Sequence, residues 1–258
     1  MKKISTVILF LVLSFVAYTQ ENKEPIIDEY DVFYDYTHWG FSVMPILYES
    51  PKFTPNSVAK IQADSYVPSV QLAFRFHFNH AKAFSFNTGL IFTWIPLVQY
   101  SFTLKEEDVF VNDDRFFNSD GFSDSYVLIP LNLEYKLRAG KNLYLNLNSG
   151  VSFSVRGGFT AHDEHGIRIG QESLFKPFNF NYRSSDFYVN AQVSTGLYII
   201  FDKFMLRTNV LYNKSFQDIQ KGEYEFSGLR VSSSETGSFS FSGDYFGIST
   251  TVYFKRKN

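Results

Sequence analysis

No cysteine occurs anywhere in the 258 residues. Disulfides, thiolate-bound metals and a lipid anchor on a cysteine are therefore excluded. An excess of charge is missing too: 24 Lys and Arg stand against 26 Asp and Glu, a formal net charge of −2. A nucleic-acid partner would call for a concentrated basic face, so none is expected. Past the first twenty or so residues no apolar run reaches the roughly 20 residues of a membrane-spanning helix. There is no glycine-rich phosphate loop, and no spacing of Ser, His and acidic residues picks out a nucleophile with its base. The chain is accordingly not expected to be an enzyme or to hold a cofactor.

What is plentiful is aromatic. The 30 Phe and 17 Tyr are set among many Ser, Asn and Thr, a mixture that suits strands with one apolar and one polar face. At the front, Lys2 and Lys3 precede an apolar core from Ile4 to Val16, and Ala17-Tyr18-Thr19 places small residues where a signal peptidase cuts before Gln20. This is the layout of a secretory signal peptide, expected over residues 1–19. An uncleaved anchor is the alternative, for which the apolar core is short. Residues 20–37 then read as a periplasmic N-terminal segment, 38–254 as one barrel domain and 255–258 as a basic tail.

Period-two alternation marks eight candidate strands: 38–48, 66–78, 84–102, 126–137, 143–155, 186–201, 204–216 and 243–254. In the fifth, Leu143, Leu145, Leu147, Val151, Phe153 and Val155 share one face, against Asn146, Asn148, Gly150, Ser152 and Ser154 on the other. The fourth sets Val127, Ile129, Leu131, Leu133, Tyr135 and Leu137 against Asn132, Glu134 and Lys136. A helix needs apolar residues at i, i+3 and i+4, which these segments lack.

The links between candidates alternate in length. Residues 79–83, 138–142 and 202–203 are short, whereas 49–65, 103–125, 156–185 and 217–242 are long. Short periplasmic turns and long extracellular loops are the pattern of a transmembrane barrel. Ten residues at about 3.3 Å each, tilted near 40°, rise about 25 Å, the height of an outer-membrane apolar band. The expected fold is thus all-β: an eight-stranded antiparallel up-and-down transmembrane β-barrel in the bacterial outer membrane. Trp39, Trp94, Tyr135, Phe187, Phe201 and Phe204 would form its interfacial girdles, or else serve as core aromatics of a soluble β-protein.

With the apolar face in lipid, Gln71, Arg75, His77, Asn87, Asn132, Glu134, Lys136, Asn146, Asn148, Asn190, Gln192, Arg207 and Asn209 point inward. An eight-stranded lumen is just wide enough to be filled by side chains. Strand directions put Arg75, His77, Glu134, Lys136 and Arg207 together near the periplasmic end. This candidate cluster has more positive than negative charge, which is costly when buried unpaired. Asp28, Glu29, Asp31 and Asp35 could fold under the barrel as counter-charges, or the segment could stay solvated.

Two loops attract a metal reading. His162-Asp163-Glu164-His165 has imidazole and carboxylate donors, but no regular element fixes its geometry, and a solvated loop is the plainer reading. The acidic stretch 105–124 includes Asn118-Ser119-Asp120-Gly121. It fails as a calcium loop because the first and twelfth ligand positions would be Phe116 and Val127. No metal site is assigned.

The segment Tyr126-Val127-Leu128-Ile129-Pro130-Leu131-Asn132-Leu133-Glu134-Tyr135-Lys136-Leu137, with the Gly140-Lys141-Asn142 turn after it, resembles the PorT-like outer-membrane β-barrel family, among the small OmpA- and OmpX-like barrels. The resemblance covers nearly all of the chain after the signal at the level of pattern, and its one sharp motif is short. It implies an outer-membrane barrel, and some members of that family are linked to protein secretion or gliding. The ending departs from common barrel practice: Phe254 is followed by Lys255-Arg256-Lys257-Asn258, and no peptidoglycan-binding domain follows.

The expected function is a structural or interaction scaffold without an open pore. It would sit in outer-membrane lipid and meet envelope or extracellular protein partners through loops 49–65, 103–125, 156–185 and 217–242. One alternative is passage of a small hydrophobic ligand through lumen or wall, since Pro45, Pro68, Pro96 and Pro130 lie inside candidate strands and each removes a ladder hydrogen bond. Another is a soluble lipocalin-like binding barrel with its apolar face turned inward.

Overall fold

The computed structural model describes residues 30–54, 57, 59–63, 66–95, 99–104, 116–120, 123–161, 178–226 and 232–256. The signal-peptide reading, Asp28 and Glu29, and the 162–165 cluster lie outside them. A short 3-10 helix, Asp31–Asp35, leads into β1 (Tyr36–Glu49), β2 (Lys52–Phe53), β3 (Ala59–Ala63), β4 (Tyr66–Phe78) and β5 (Phe84–Ile95). Then come β6 (Gln99–Leu104), β7 (Phe116–Asp120), β8 (Ser123–Gly140), β9 (Leu143–Ala161) and β10 (Phe178–Ser184). The chain finishes with β11 (Phe187–Ile200), β12 (Phe204–Ser215), β13 (Gln220–Phe226), β14 (Glu235–Phe241) and β15 (Tyr245–Lys255).

Eight of these strands close a barrel in the order β1-β15-β12-β11-β9-β8-β5-β4, with antiparallel pairing throughout and β4 returning to β1. Burial follows the alternation along each wall strand. In β4, Gln71, Ala73, Arg75 and His77 are buried, whereas Val70, Leu72, Phe74 and Phe78 are exposed. The exposed rows are the apolar ones: Phe41 is 56% exposed, Leu133 67%, Val193 52% and Val210 61%. A lipocalin-like barrel would need these rows inside, so that alternative fails. A continuous apolar exterior is solvated by hydrocarbon, and closure leaves no strand edge there without partners. The chain is an outer-membrane-type β-barrel. Trp94, Phe187, Phe201 and Phe204 lie exposed near strand ends, with Trp39 and Tyr135 half-buried on the same outer surface.

The long connections are not plain loops. A four-stranded sheet, β10-β13-β14-β2, carries the wall beyond β11, β12, β15 and β1, and a three-stranded sheet, β3-β6-β7, grows from the side of β4, β5 and β8. The candidate strand 84–102 therefore divides: Phe84–Ile95 stays in the wall, and Gln99–Leu104 pairs elsewhere. Alternation runs on through both pieces, so period two cannot register the change of partner. Likewise Ser238-Phe239-Ser240-Phe241 alternates as clearly as any wall strand, yet lies in a stretch assigned to a loop.

Inside, the upper lumen and the adjoining sheet share one apolar cluster. Tyr48, Ile91, Tyr126, Tyr188, Phe239, Phe241 and Tyr245 belong to it, with Phe53 packed against it. A second cluster closes the other end, where Phe33, Tyr36, Tyr144, Tyr198, Met205 and Tyr253 meet. Phe33 is fully buried, with ring centroids 5.0 Å from Tyr144 and 5.2 Å from Tyr198, both edge-on. The 3-10 helix is fixed by Tyr36, whose hydroxyl donates to the Phe201 carbonyl (2.6 Å). The amide of Arg256 donates to the Asp35 carbonyl (2.8 Å).

Candidate functional site

Between the two apolar clusters lies a polar layer centred on Glu134. Inward parity brings His77 from β4, Glu134 and Lys136 from β8 and Arg207 from β12 into one group, all buried. Glu134 Oε2 stands 3.3 Å from His77 Nδ1 and accepts from the hydroxyls of Ser85 (3.2 Å) and Tyr198 (3.1 Å). Its other oxygen is 3.4 Å from Arg207 Nη2. The far nitrogen of His77 is 2.8 Å from the Tyr253 hydroxyl, an arrangement suited to the tautomer with its proton on Nδ1. One carboxylate thus collects donors from four wall strands.

Lys136 is held differently. Its Nζ donates to the carbonyls of His80 (2.7 Å) and Lys82 (3.0 Å) in the 79–83 turn and to Ser85 Oγ (3.0 Å). It also sits 4.9 Å from the centroid of the Phe33 ring, a cation–π contact in a desolvated place. Arg207 donates to Asn148 Oδ1 (2.6 Å) and faces the Tyr198 ring at 5.6 Å. Arg75 stands apart from this group: its Nη2 points to Met44 Sδ at 3.4 Å. Above, Asn87, Asn132, Asn146 and Asn148 join in amide hydrogen bonds of 2.6–3.2 Å. The close approach of the walls here needs glycine. A Cβ on Gly196 would meet the Thr208 carbonyl oxygen at 1.9 Å and Asn209 Oδ1 at 2.3 Å.

Of the four acidic residues read as possible counter-charges, Asp31 and Asp35 are among the described residues, and both are exposed. Phe33 between them enters the barrel, because the 3-10 turn breaks the strand parity, and its ring lies over Lys136. His80 stands at this seal, its Nε2 2.9 Å from the Phe33 carbonyl. Burial pushes its imidazole below the ordinary value, partly offset by that hydrogen bond.

A second charged centre stands at the opposite rim. Asp124, read from sequence as part of an acidic loop, belongs to β8 and is buried. Arg156 of β9 donates to its Oδ1 through Nε (3.1 Å) and Nη2 (2.9 Å), and Gln220 of β13 donates to Oδ2 (2.6 Å). Ser184 of β10 adds its hydroxyl to Oδ2. Asp124 therefore stitches the wall to the four-stranded extension. Its even position, matching Glu134 and Lys136 in the same strand, was the available signal. Among the described residues no group of three or more His, Cys, Asp or Glu could hold a metal ion.

No protein-family model matches the sequence, and no curated protein sequence does. Solved structures similar to the chain include the outer membrane protein OprG from Pseudomonas aeruginosa, at 12% identity, covering 84% of this chain and 97% of that one, with a TM-score of 0.43. The outer membrane protease OmpT from Escherichia coli has 10% identity, covers 86% and 98%, and has a TM-score of 0.43. Ail, the attachment invasion locus protein of Yersinia pestis, solved with the heparin analogue sucrose octasulfate, has 10% identity, covers 83% and 99%, and has a TM-score of 0.28.

Proposed function

We propose that the chain is a non-catalytic scaffold barrel of the bacterial outer membrane. It has no open pore and presents a raised extracellular wall to envelope or extracellular protein partners. The observation that carries this reading is how the lumen is filled: an aromatic cluster above, the Asn and Glu134 layer in the middle, and Phe33 below. A conducting barrel needs a continuous wet path, and an eight-stranded wall this thoroughly occupied has no width to spare. The hydrogen-bond chain Glu134–His77–Tyr253 has the makings of acid–base chemistry but is shut in from both ends, which favours a stabilising use. The PorT-like assignment, resting on the Tyr126–Leu137 segment, belongs to this reading. Purified protein in planar bilayers should give no steady conductance while its unboiled gel band migrates as a closed barrel. Stable open channels would overturn the scaffold reading.

One observation favours a second reading, passage of a small hydrophobic molecule through the wall. Pairing of β5 with β8 lapses between Asn87↔Asn132 and Ile91↔Leu128, beside Pro130, which has no N–H to give, and Gly89. Uptake of a fluorescent apolar probe into proteoliposomes, faster than in protein-free vesicles and slowed by Pro130→Ala, would support it.

A further inference from the structure

The outer face of the four-stranded extension carries a row of cations that nothing in the lumen explains. Register sets Arg183 opposite Lys221, Lys221 opposite Ser240, and Ser240 opposite Lys52. Directly paired residues share a face of a sheet, so the row runs across all four strands. Lys52 and Lys221 are exposed. The opposite face is the buried one, with Tyr224, Phe239 and Phe241 turned inward.

The height of this row is set by the strands below it. Each member follows the last exposed apolar residue of its own wall strand by four to six positions: Lys52 after Leu47, Lys221 after Phe216, Ser240 beyond Phe246, Arg183 beyond Phe187. At about 3.3 Å per residue and a tilt near 40°, that is at most about 10–15 Å above the hydrocarbon edge. Lysine stems reach back from there toward the headgroup layer. Carboxylates on the same face begin one row farther out, with Glu223 and then Glu225. Between the row and the apolar edge lie two exposed acids, Asp218 and Asp186, the second 3.8 Å from Arg156 Nη1, while Lys214, below Phe216, is engaged by buried Asp244.

We infer that Lys52 and Lys221 bind the phosphate groups of anionic lipid in the outer leaflet around the barrel. Two exposed lysines lie at headgroup height on one face, separated only by the Ser240 strand, which suits a bisphosphorylated headgroup lying across them. The inference rests on the outer-membrane reading above and adds a ligand class to it.

The test uses the full-length protein in non-ionic detergent with bisphosphorylated lipid A as probe, read by native mass spectrometry. Wild type should retain the lipid. The double variant Lys52→Gln, Lys221→Gln should bind it roughly 30-fold more weakly, at about fivefold per lysine near a charged surface. The dephosphorylated lipid should bind wild type as weakly as the phosphorylated lipid binds the variant, and inorganic phosphate should not compete. Equal binding by variant and wild type overturns the proposal, as does equal binding of the two lipids. Competition by inorganic phosphate would mean a free-anion site, and tighter binding of heparin than of lipid would mean a glycan surface; either also overturns it. Gel migration before boiling checks that the variants are closed. Should the pair not fold, K52Q and K221Q singly give the same reading at about fivefold each. A wild-type protein that shows no closed-barrel band fails the outer-membrane reading instead, a distinguishable result.

Discussion

The two buried carboxylates of β8, Glu134 and Asp124, sit ten residues apart on one face of one strand and hold different things together. Glu134 lies in the part of the barrel surrounded by lipid and gathers donors from other wall strands, Arg207 among them, with Arg75 in the same lumen. Asp124 stands at the rim and pairs with Arg156, which is partly exposed, together with Ser184 and Gln220 of the extension. The first organises the interior against charge imbalance, and the second fastens an accessory sheet to the wall. A buried ion in a positive surround is hard to remove. A buried ion whose single cationic partner is partly exposed, and whose other partners are neutral donors, is less so.

The sharpest way to break the comparison is Glu134→Gln. It leaves buried Arg207 without its paired anion and should cost about 3–5 kcal/mol of barrel stability, seen as a lower temperature at which the unboiled gel band converts. Wild-type conversion would mean that Glu134 is not the organiser. Phe33→Ala comes next. Removing a fully buried phenyl ring should weaken docking of residues 30–36 by up to about 3 kcal/mol and speed deuterium exchange there, while the wall stays protected. In contrast, Asp31→Asn with Asp35→Asn should change stability by less than about 0.5 kcal/mol; a larger loss would restore the counter-charge idea.

Asp124→Asn should cost about 1–3 kcal/mol, and locally: protease should cut within 178–226 while the barrel band converts at the normal temperature. If the whole barrel loosens together, rim and lumen are one unit and the distinction collapses. The smallest effect concerns pH. Folding lowers the His80 pKa, so the neutral ring stabilises the docked state, and this contribution is lost as pH falls below the ordinary imidazole value of about 6.5. Exchange at residues 30–36 should rise modestly between about pH 7 and 5 in wild type and stay flat in His80→Gln.

Parity made the barrel legible. All eight wall strands were visible in alternation, and which side chains share the lumen follows from odd and even positions in strands such as β8 and β9. Contacts were less accessible. Nothing local says that Lys136 is held by turn carbonyls while Arg207 goes to Asn148, because those choices depend on stagger between strands far apart in sequence. Phe33 was invisible for another reason: in a 3-10 turn no period-two rule separates it from Tyr34, which is exposed. The extracellular strands hide in stretches whose length marks them as loops, although Tyr224, Phe226, Phe239 and Phe241 alternate with polar residues.

The seam where β1 meets β15 sets an order in time. Tyr36 pairs with Lys255, and the Asp35 carbonyl is held by the Arg256 amide, more than two hundred residues later in the chain. The segment that carries Phe33 into the mouth is held by His80 and the Phe201 carbonyl as well, so the last strand adds the final tie to it in the same step that closes the wall. Closing the cylinder and locking its stopper are one event at that seam.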